Sequence, residues 1–349
     1  MTFLYSVLCL LAVSGVSFSI PVQPVNLAGN RIELVRSDVS ALDGPSEYLH
    51  SMLKYNITPT HPQALSLRER LARRSTSSVE VPTTIGQTGS AYKAPITIGS
   101  QQYLLDFDTG SPDLWVYSSF MDAPPPGSHQ IYDPRNSTTA KVTDKTWGIS
   151  YGDGSEAYGI VFEDTVEIGG ITIKNQAVEA AVIVSGKVLQ LESDGLLGLS
   201  PGPNTITPGH VPTTLQNLAA SPQLQSKLFT CALTRPGEPN GFYTFGFIDS
   251  TLLGSNTPEY TSVDPKHGYW EFSSEFILIN GKRIPRPSNT AFADTGSTII
   301  MVSDDILPSI YEPLGGFFDA DAQGWIFPAN VPESKIPQLF YQLGMLQLR

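Results

Sequence analysis

From Ser75 onward the chain is written in short apolar runs separated by turn residues. Ala94-Pro95-Ile96-Thr97-Ile98, residues 103–107, Thr165-Val166-Glu167-Ile168, Ile171-Thr172-Ile173 and Phe276-Ile277-Leu278-Ile279 alternate or are rich in β-branched side chains. Gly169-Gly170 and Asn280-Gly281 fall between such runs and read as hairpin turns, because Gly and Asn reach the left-handed backbone that tight turns require. Short period-two runs between turn signals predict strands and an all-β fold. Residues 75–349 exceed what one ordinary core encloses and predict two lobes.

The start of the chain has a different pattern. Residues 1–19 contain no charged side chain, and an apolar run over 3–16 is followed by Ser17-Phe18-Ser19. That small-x-small ending predicts a signal peptide cleaved near Ile20, and hence a secreted, extracellular product. The run is short for a membrane span, so no membrane partner is expected. Residues 20–74 carry seven Lys plus Arg against five Asp plus Glu, a net of +2, whereas 75–349 carry 14 against 28, a net of −14. A slightly basic segment ahead of an acidic body predicts a docking propeptide, with helix-friendly composition at 46–55 and 63–74. Arg73-Arg74 is the expected processing site. The acidic body gives no footprint for nucleic acid.

One motif occurs twice. Leu104-Leu105-Asp106-Phe107 leads into Asp108-Thr109-Gly110-Ser111, and Ala291-Phe292-Ala293 leads into Asp294-Thr295-Gly296-Ser297. An apolar run ending at Val follows each copy, and the two Asp residues lie 186 positions apart (294 minus 108). A matched pair predicts a duplicated lobe with one carboxyl from each half. Two adjacent carboxyls do not both ionise readily, so the pair holds one proton, with one member as base and the other as acid. Gly110 and Gly296 let the backbone turn and offer amides to the carboxylates, while Thr109, Ser111, Thr295 and Ser297 can hydrogen-bond within the loops.

Other chemistry is sparse. The chain has two cysteines: Cys9 lies in the leader, and Cys231 sits on an apolar run and reads as a small buried hydrophobe. Neither a disulfide framework nor zinc spacing is present, the five histidines are scattered, and no metal or organic cofactor is expected. Asn56-Ile57-Thr58 and Asn136-Ser137-Thr138 are glycosylation sequons. Gly148-Ile149-Ser150-Tyr151-Gly152 also spells the nucleophile elbow of serine hydrolases, the weaker alternative, since the elbow needs a helix and a Val/Phe/Thr-rich run follows. Asp106 shares a strand face with Asp108 and reads equally as a subsite or a solvated charge, while Asp113 reads as structural.

With these motifs the sequence resembles secreted fungal pepsin-like aspartic proteases of the penicillopepsin or aspergillopepsin kind. The resemblance implies a bilobal fold with an active-site cleft between lobes, over a signal peptide (1–19), a propeptide (20–74), an N-terminal lobe (75–250) and a C-terminal lobe (251–349). It implies Asp108 and Asp294 as the catalytic pair. Ser150-Tyr151-Gly152-Asp153-Gly154-Ser155 matches the family's flap, with Tyr151 and Gly152 over the substrate, Trp115 bonded to Tyr151, and Asp153 and Ser155 favouring Lys before the cut. Lys54 matches the propeptide lysine that blocks the pair. Leu196-Leu197-Gly198 matches the segment that threads beside the first catalytic loop, and residues 241–249 match the join between lobes. The expected product is a monomeric acid endopeptidase made as a zymogen and acting on peptides and proteins. Beyond Phe327 the resemblance is lost: no second apolar-apolar-Gly segment and no second-lobe cysteines occur, and 328–349 have a composition that allows a short helix. The second lobe is therefore expected to be truncated, with an inactive remnant or peptide-binding pseudoprotease as the rival reading.

Overall fold

The computed structural model describes residues 7–11, 30–39 and 89–349, the last without 124, 126, 151–155, 186–187, 190, 225, 235–240, 254–257, 259, 298, 320–323, 344–345 and 349. Most of the expected leader and propeptide, including Lys54, Asn56, Arg73 and Arg74, and the expected flap residues Tyr151, Gly152, Asp153 and Ser155 lie outside the described residues.

Three strands come first: β1 (Val7–Leu11), β2 (Arg31–Glu33) and β3 (Val35–Val39). The first lobe continues with β4 (Gly89–Ile98), β5 (Gln101–Asp108), β6 (Leu114–Tyr117), β7 (Lys141–Ser150), β8 (Glu156–Ile168), β9 (Ile171–Val184) and β10 (Gly195–Gly198). Helix α1 (Thr214–Ala220), β11 (Leu228–Ala232), β12 (Phe242–Phe245) and α2 (Ser250–Leu253) lead out of it. The second lobe has β13 (Glu271–Ser273), β14 (Phe276–Ile279), β15 (Lys282–Pro285), β16 (Thr290–Phe292), α3 (Leu307–Tyr311), β17 (Phe317–Asp319), β18 (Gly324–Ile326), β19 (Leu339–Leu343) and β20 (Leu346–Leu348).

The all-β expectation holds. An eight-stranded sheet in the order β3-β4-β5-β10-β6-β9-β8-β7 folds round until β4 also pairs with β8. Alternation does the work that period two predicts: Ala94, Ile96 and Ile98 of β4 and Tyr103, Leu105 and Phe107 of β5 are buried, with their neighbours turned outward. Gly169 and Gly170 turn β8 into β9 at φ +55° and +80°, and Asn280 and Gly281 turn β14 into β15 at +50° and +78°. Helix α1 starts on a reciprocal cap, in which the Thr213 hydroxyl accepts from the Gln216 N–H and the Gln216 side chain accepts from the Thr213 N–H.

A second, four-stranded sheet has the order β1-β11-β12-β2, with β12 inside the stretch 241–249. Val7–Leu11, inside the expected leader, thus forms a strand on β11. Cys231 on β11 is 3% exposed, the small buried hydrophobe expected of it.

The second lobe is thinner. Its buried apolar cluster is Ile277, Ile279 and Ile306, against which Ile284, Val302, Ile310, Leu339 and Tyr341 pack. Here the tail departs from expectation. The described residues of 328–349 form a 3-10 turn, Glu333–Lys335, and then the antiparallel pair β19-β20 rather than a helix. The reason is an available edge: β14 pairs with β15 on one side, and β19 takes the other with Ile279 opposite Leu339 and Ile277 opposite Tyr341.

The serine-hydrolase alternative is also corrected. β7 ends at Ser150 and β8 starts at Glu156, antiparallel, with Gly148 opposite Tyr158 and Ser150 opposite Glu156. A strand-to-strand hairpin cannot present the strand-to-helix elbow that the Gly-x-Ser-x-Gly motif needs.

Candidate active site

Asp108 is the last residue of β5, and β10 fixes where that strand ends. Leu196-Leu197-Gly198 runs parallel to β5, with Gly198 opposite Asp108, and antiparallel to β6. The Asp108 loop is therefore bracketed by one short strand pairing with both of its arms. Backbone bonds close the bracket: Leu199 N–H donates to the Asp108 carbonyl at 2.7 Å, Gly198 N–H to Asp113 at 2.7 Å and Ser200 N–H to Ser111 at 3.0 Å. Glycine is required at position 198, since a Cβ there would stand 2.4 Å from the Ser111 carbonyl oxygen.

Within each loop the carboxyl is held the same way. Gly110 N–H donates to Asp108 Oδ1 at 2.8 Å and Ser111 Oγ to Asp108 Oδ2 at 2.5 Å. Gly296 N–H donates to Asp294 Oδ1 at 2.9 Å, and Ser297 Oγ to Asp294 Oδ2. The duplicated sequence becomes duplicated geometry, and the roles predicted for the Gly and Ser positions appear in both copies.

The two loops grip each other through their threonines. Thr109 N–H donates to Thr295 Oγ1 at 3.1 Å, and Thr295 N–H donates to Thr109 Oγ1 at 3.0 Å. Each hydroxyl then donates onward across the interface, Thr109 Oγ1 to the Ala293 carbonyl at 2.9 Å and Thr295 Oγ1 to the Phe107 carbonyl at 2.6 Å. Those carbonyls belong to the residues just ahead of Asp294 and Asp108. The loops touch closely: a Cβ on Gly296 would lie 2.4 Å from Asp108 Oδ1. The structure thus brings Asp108, Thr109, Gly110, Ser111, Thr295, Gly296, Ser297 and Asp294 into one constellation.

Its two halves differ in support. Asp108 is 1% exposed, and all of β6 behind it is buried. Asp294 is half-buried, residues 299–302 after its loop form no strand, and Ile300 is 77% exposed. Sequence reasoning missed further aromatic contacts around the two loops, of which the one through Trp270 joins the lobes. Trp270, ahead of β13, sends its indole N–H to the Leu199 carbonyl at 2.9 Å and sets its ring edge-on to Phe229 at 5.9 Å. Tyr243 on β12 packs edge-on to Phe107 at 5.1 Å and donates to the Phe107 carbonyl at 3.3 Å. Phe292, two residues before Asp294, stacks on Tyr269 at 5.2 Å. The Gly268-Tyr269-Trp270 run was the available signal for the second-lobe aromatics.

Trp115 lies fully buried on β6 and stacks on Trp147 of β7 at 6.1 Å. Its indole N–H is enclosed with no acceptor among the described residues. Asn136 ends an exposed 3-10 turn, Pro134–Asn136, and its sequon partner Thr138 is exposed as well. Among the described residues no group of three or more His, Cys, Asp or Glu side chains converges on a metal-sized site, and no helix is long and apolar enough to cross a membrane.

Comparison with known proteins agrees with this geometry. The family model described as eukaryotic aspartyl protease matches residues 91–348, a stretch that continues past Phe327. The chain is 39% identical over 273 residues to the aspartic protease pepA of Arthroderma gypseum, covering 72% of this chain and 66% of that protein. It is 34% identical over 303 residues to aspergillopepsin-1 of Aspergillus fumigatus, covering 86% and 72% respectively. It is 36% identical over 324 residues to endothiapepsin of Cryphonectria parasitica, covering 90% and 75%. The chain thus spans two-thirds to three-quarters of these relatives' lengths. Among solved structures, the aspartic proteinase from Irpex lacteus superposes with a TM-score of 0.60 at 23% identity over 74% of each chain, a likeness of fold. The duplicated Asp-Thr-Gly-Ser loops, the strand threaded beside the first of them and the match over 91–348 place this chain in the eukaryotic aspartyl protease family.

Proposed function

We propose that this chain is a secreted aspartic endopeptidase, made as a zymogen, that hydrolyses peptide bonds at acid pH with a water activated by Asp108 and Asp294. The observation that supports the reading is the reciprocal threonine grip between two loops that each hold their carboxyl in the same way. With one proton between them, the ionised carboxyl takes a proton from water as the oxygen attacks the peptide carbonyl. The protonated carboxyl gives its proton to the carbonyl oxygen. The tetrahedral adduct collapses as a proton passes to the leaving nitrogen, and the pair regains its starting state. General acid–base transfer of this kind contributes about 10²–10⁴-fold, and positioning adds more.

Further assignments belong to this reading. Tyr151 closes over the substrate, and the indole N–H of Trp115, which meets no acceptor among the described residues, supplies a donor to its hydroxyl. Asp153 and Ser155 on the same flap favour Lys before the cut, and the Phe292–Tyr269 stack gives an apolar side chain a flat wall beside Asp294. In the zymogen the Lys54 ammonium sits between the two carboxylates, excludes the water, and is released as acid protonates them. Asn136, exposed on a turn, is the expected glycosylation site of the secreted form, with Asn56 in the propeptide.

The thinner support behind Asp294 favours a second reading, a peptide-binding protein that holds extended chains without cutting them. Incubation with an unfolded protein between about pH 3 and 5 separates the two. Cleavage that a statine-type inhibitor stops supports the peptidase, and peptide binding without cleavage by folded material supports the rival.

A further inference from the structure

Several first-lobe carboxyls are buried, and most are surrounded by donors. Asp164 accepts from the Tyr132 hydroxyl at 3.0 Å, Ser137 Oγ at 2.9 Å and Thr165 N–H at 2.7 Å. Asp194 accepts from Leu104 N–H at 2.7 Å and Gln130 N–H at 2.9 Å. Asp113 and Glu179 are different. Each is 1% exposed, and their side chains meet. Asp113 Oδ1 accepts from Thr205 N–H at 2.7 Å and Thr205 Oγ1 at 3.1 Å, but Asp113 Oδ2 and Glu179 Oε2 are enclosed with no donor among the described residues. Two buried acids whose side chains meet, each with an enclosed oxygen that no donor reaches among the described residues, favour a shared proton, because two bare carboxylates there would repel with no water to screen them.

The pair stands at a junction. The Asp113 carbonyl receives the Gly198 N–H, which ties it to the strand bracketing the Asp108 loop. Glu179 lies on β9 in register with Trp115 of β6. Thr205, bonded to Asp113, is two residues from Thr207, which exchanges backbone bonds of 2.8 Å in both directions with Thr146 on β7. One acid pair therefore pins together the catalytic loop, the strand behind it and the base of the flap hairpin.

We propose that the Asp113–Glu179 carboxyl pair is a proton-dependent clamp on the catalytic loop: it holds the loop while it shares a proton, and it releases the loop when both acids ionise. The direction follows from linkage. Burial, then the other's charge, pushes Glu179 well above its ordinary 4.5, and burial raises Asp113 above its ordinary 3.8 despite the Thr205 bonds. Groups raised on folding contribute stability that is fully present below those ordinary values and is lost as pH climbs through the folded ones. Asp108 at the end of β5, Tyr117 on β6, Asp194 ahead of β10 and His210 beyond Thr205 stand on the surrounding elements, but the charge acting on Glu179 is that of Asp113. Both residues are positioning groups, since neither touches the reacting atoms.

The test is a titration of the full chain from acid to mildly alkaline pH by near-UV circular dichroism and tryptophan fluorescence, to which the neighbouring buried Trp115 contributes. Glu179→Gln and Asp113→Asn each supply a permanent amide donor to the partner and so imitate the protonated pair. Both should move the loss of tertiary signal upward by about one pH unit or more. Activity recovered on return to acid should follow the same shift. Unchanged or lowered midpoints in both variants overturn the proposal. So does failure of both variants to fold in acid, where a mimic of the protonated state belongs. The spectroscopic arm does not require the chain to cut peptides, so its outcome is independent of the peptidase reading.

Discussion

Thr109 and Thr295 each donate a backbone N–H to the other's hydroxyl, at 3.1 and 3.0 Å, across the boundary between lobes. Each hydroxyl donates a hydrogen bond to the carbonyl just ahead of the opposite Asp. The spacing of the two acids is thus set by a closed circuit of four bonds, all made by the residues that follow Asp108 and Asp294. Replacing either threonine by valine keeps the volume and deletes one acceptor and one donor. Each single change should cost roughly 1–3 kcal/mol, because a buried N–H and a carbonyl lose their partners. Activity should fall further than stability, by about a hundredfold for a displacement near 1 Å. Thermal melts and kcat/KM of Thr109→Val, Thr295→Val and the double variant check this, with the double costing less than the sum of the singles.

Gly296 lies against the first carboxyl. An added methyl would meet Asp108 Oδ1 at 2.4 Å and Cγ at 2.5 Å. Neither atom can yield, since Gly110 and Ser111 hold the carboxylate from the other side. Gly296→Ala should therefore fold with an intact first lobe and lose hydrolysis by at least about a hundredfold. Circular dichroism and a peptide-cleavage assay on the same preparation read the two effects apart.

Trp270 links the lobes away from the acids. Its indole N–H donates to the Leu199 carbonyl, one residue past the bracketing strand, and the ring is 2% exposed. Trp270→Phe keeps an aromatic against Phe229 and removes the donor. The expected loss is roughly 1–3 kcal/mol in urea unfolding, with a larger loss of activity than of first-lobe structure, since Leu199 N–H also bonds the Asp108 carbonyl.

The first lobe was legible because its signals are local. Alternation in 94–98 and 103–107 predicted which faces are buried, glycine pairs marked the turns, and the repeated Asp-Thr-Gly-Ser named the acids before any geometry was known. What was not legible depends on register between distant segments. Nothing in residues 339–343 announces that they pair with 276–279, since a short apolar run serves equally as strand or helix until an edge is offered to it. The Trp270 to Leu199 bond joins residues 71 positions apart, and neither stands out alone. Asp113 read as merely structural because its partner, Glu179, is brought to it by parallel pairing of β6 with β9.

Cys231 gives a pH prediction of its own. Burial opposes the thiolate and pushes the thiol from 9.0 up to about 12, so it stays protonated throughout the working range. In a Cys9→Ser chain, folded protein at mildly acid pH should not react with dithiodipyridine, whereas denatured protein should react at once. Prompt labelling of folded material would contradict the burial of β11.

Two acids acting together are the centre of the proposed function. The direct measurement is the rate at which the purified chain cleaves an unfolded protein between about pH 3 and 5, beside Asp108→Asn and Asp294→Asn variants whose folding is verified. Cleavage by the parent, reduced by at least about 10²–10⁴-fold in each variant alone, is the predicted result. Cleavage that survives either substitution, or a correctly folded parent that cleaves nothing, would contradict it.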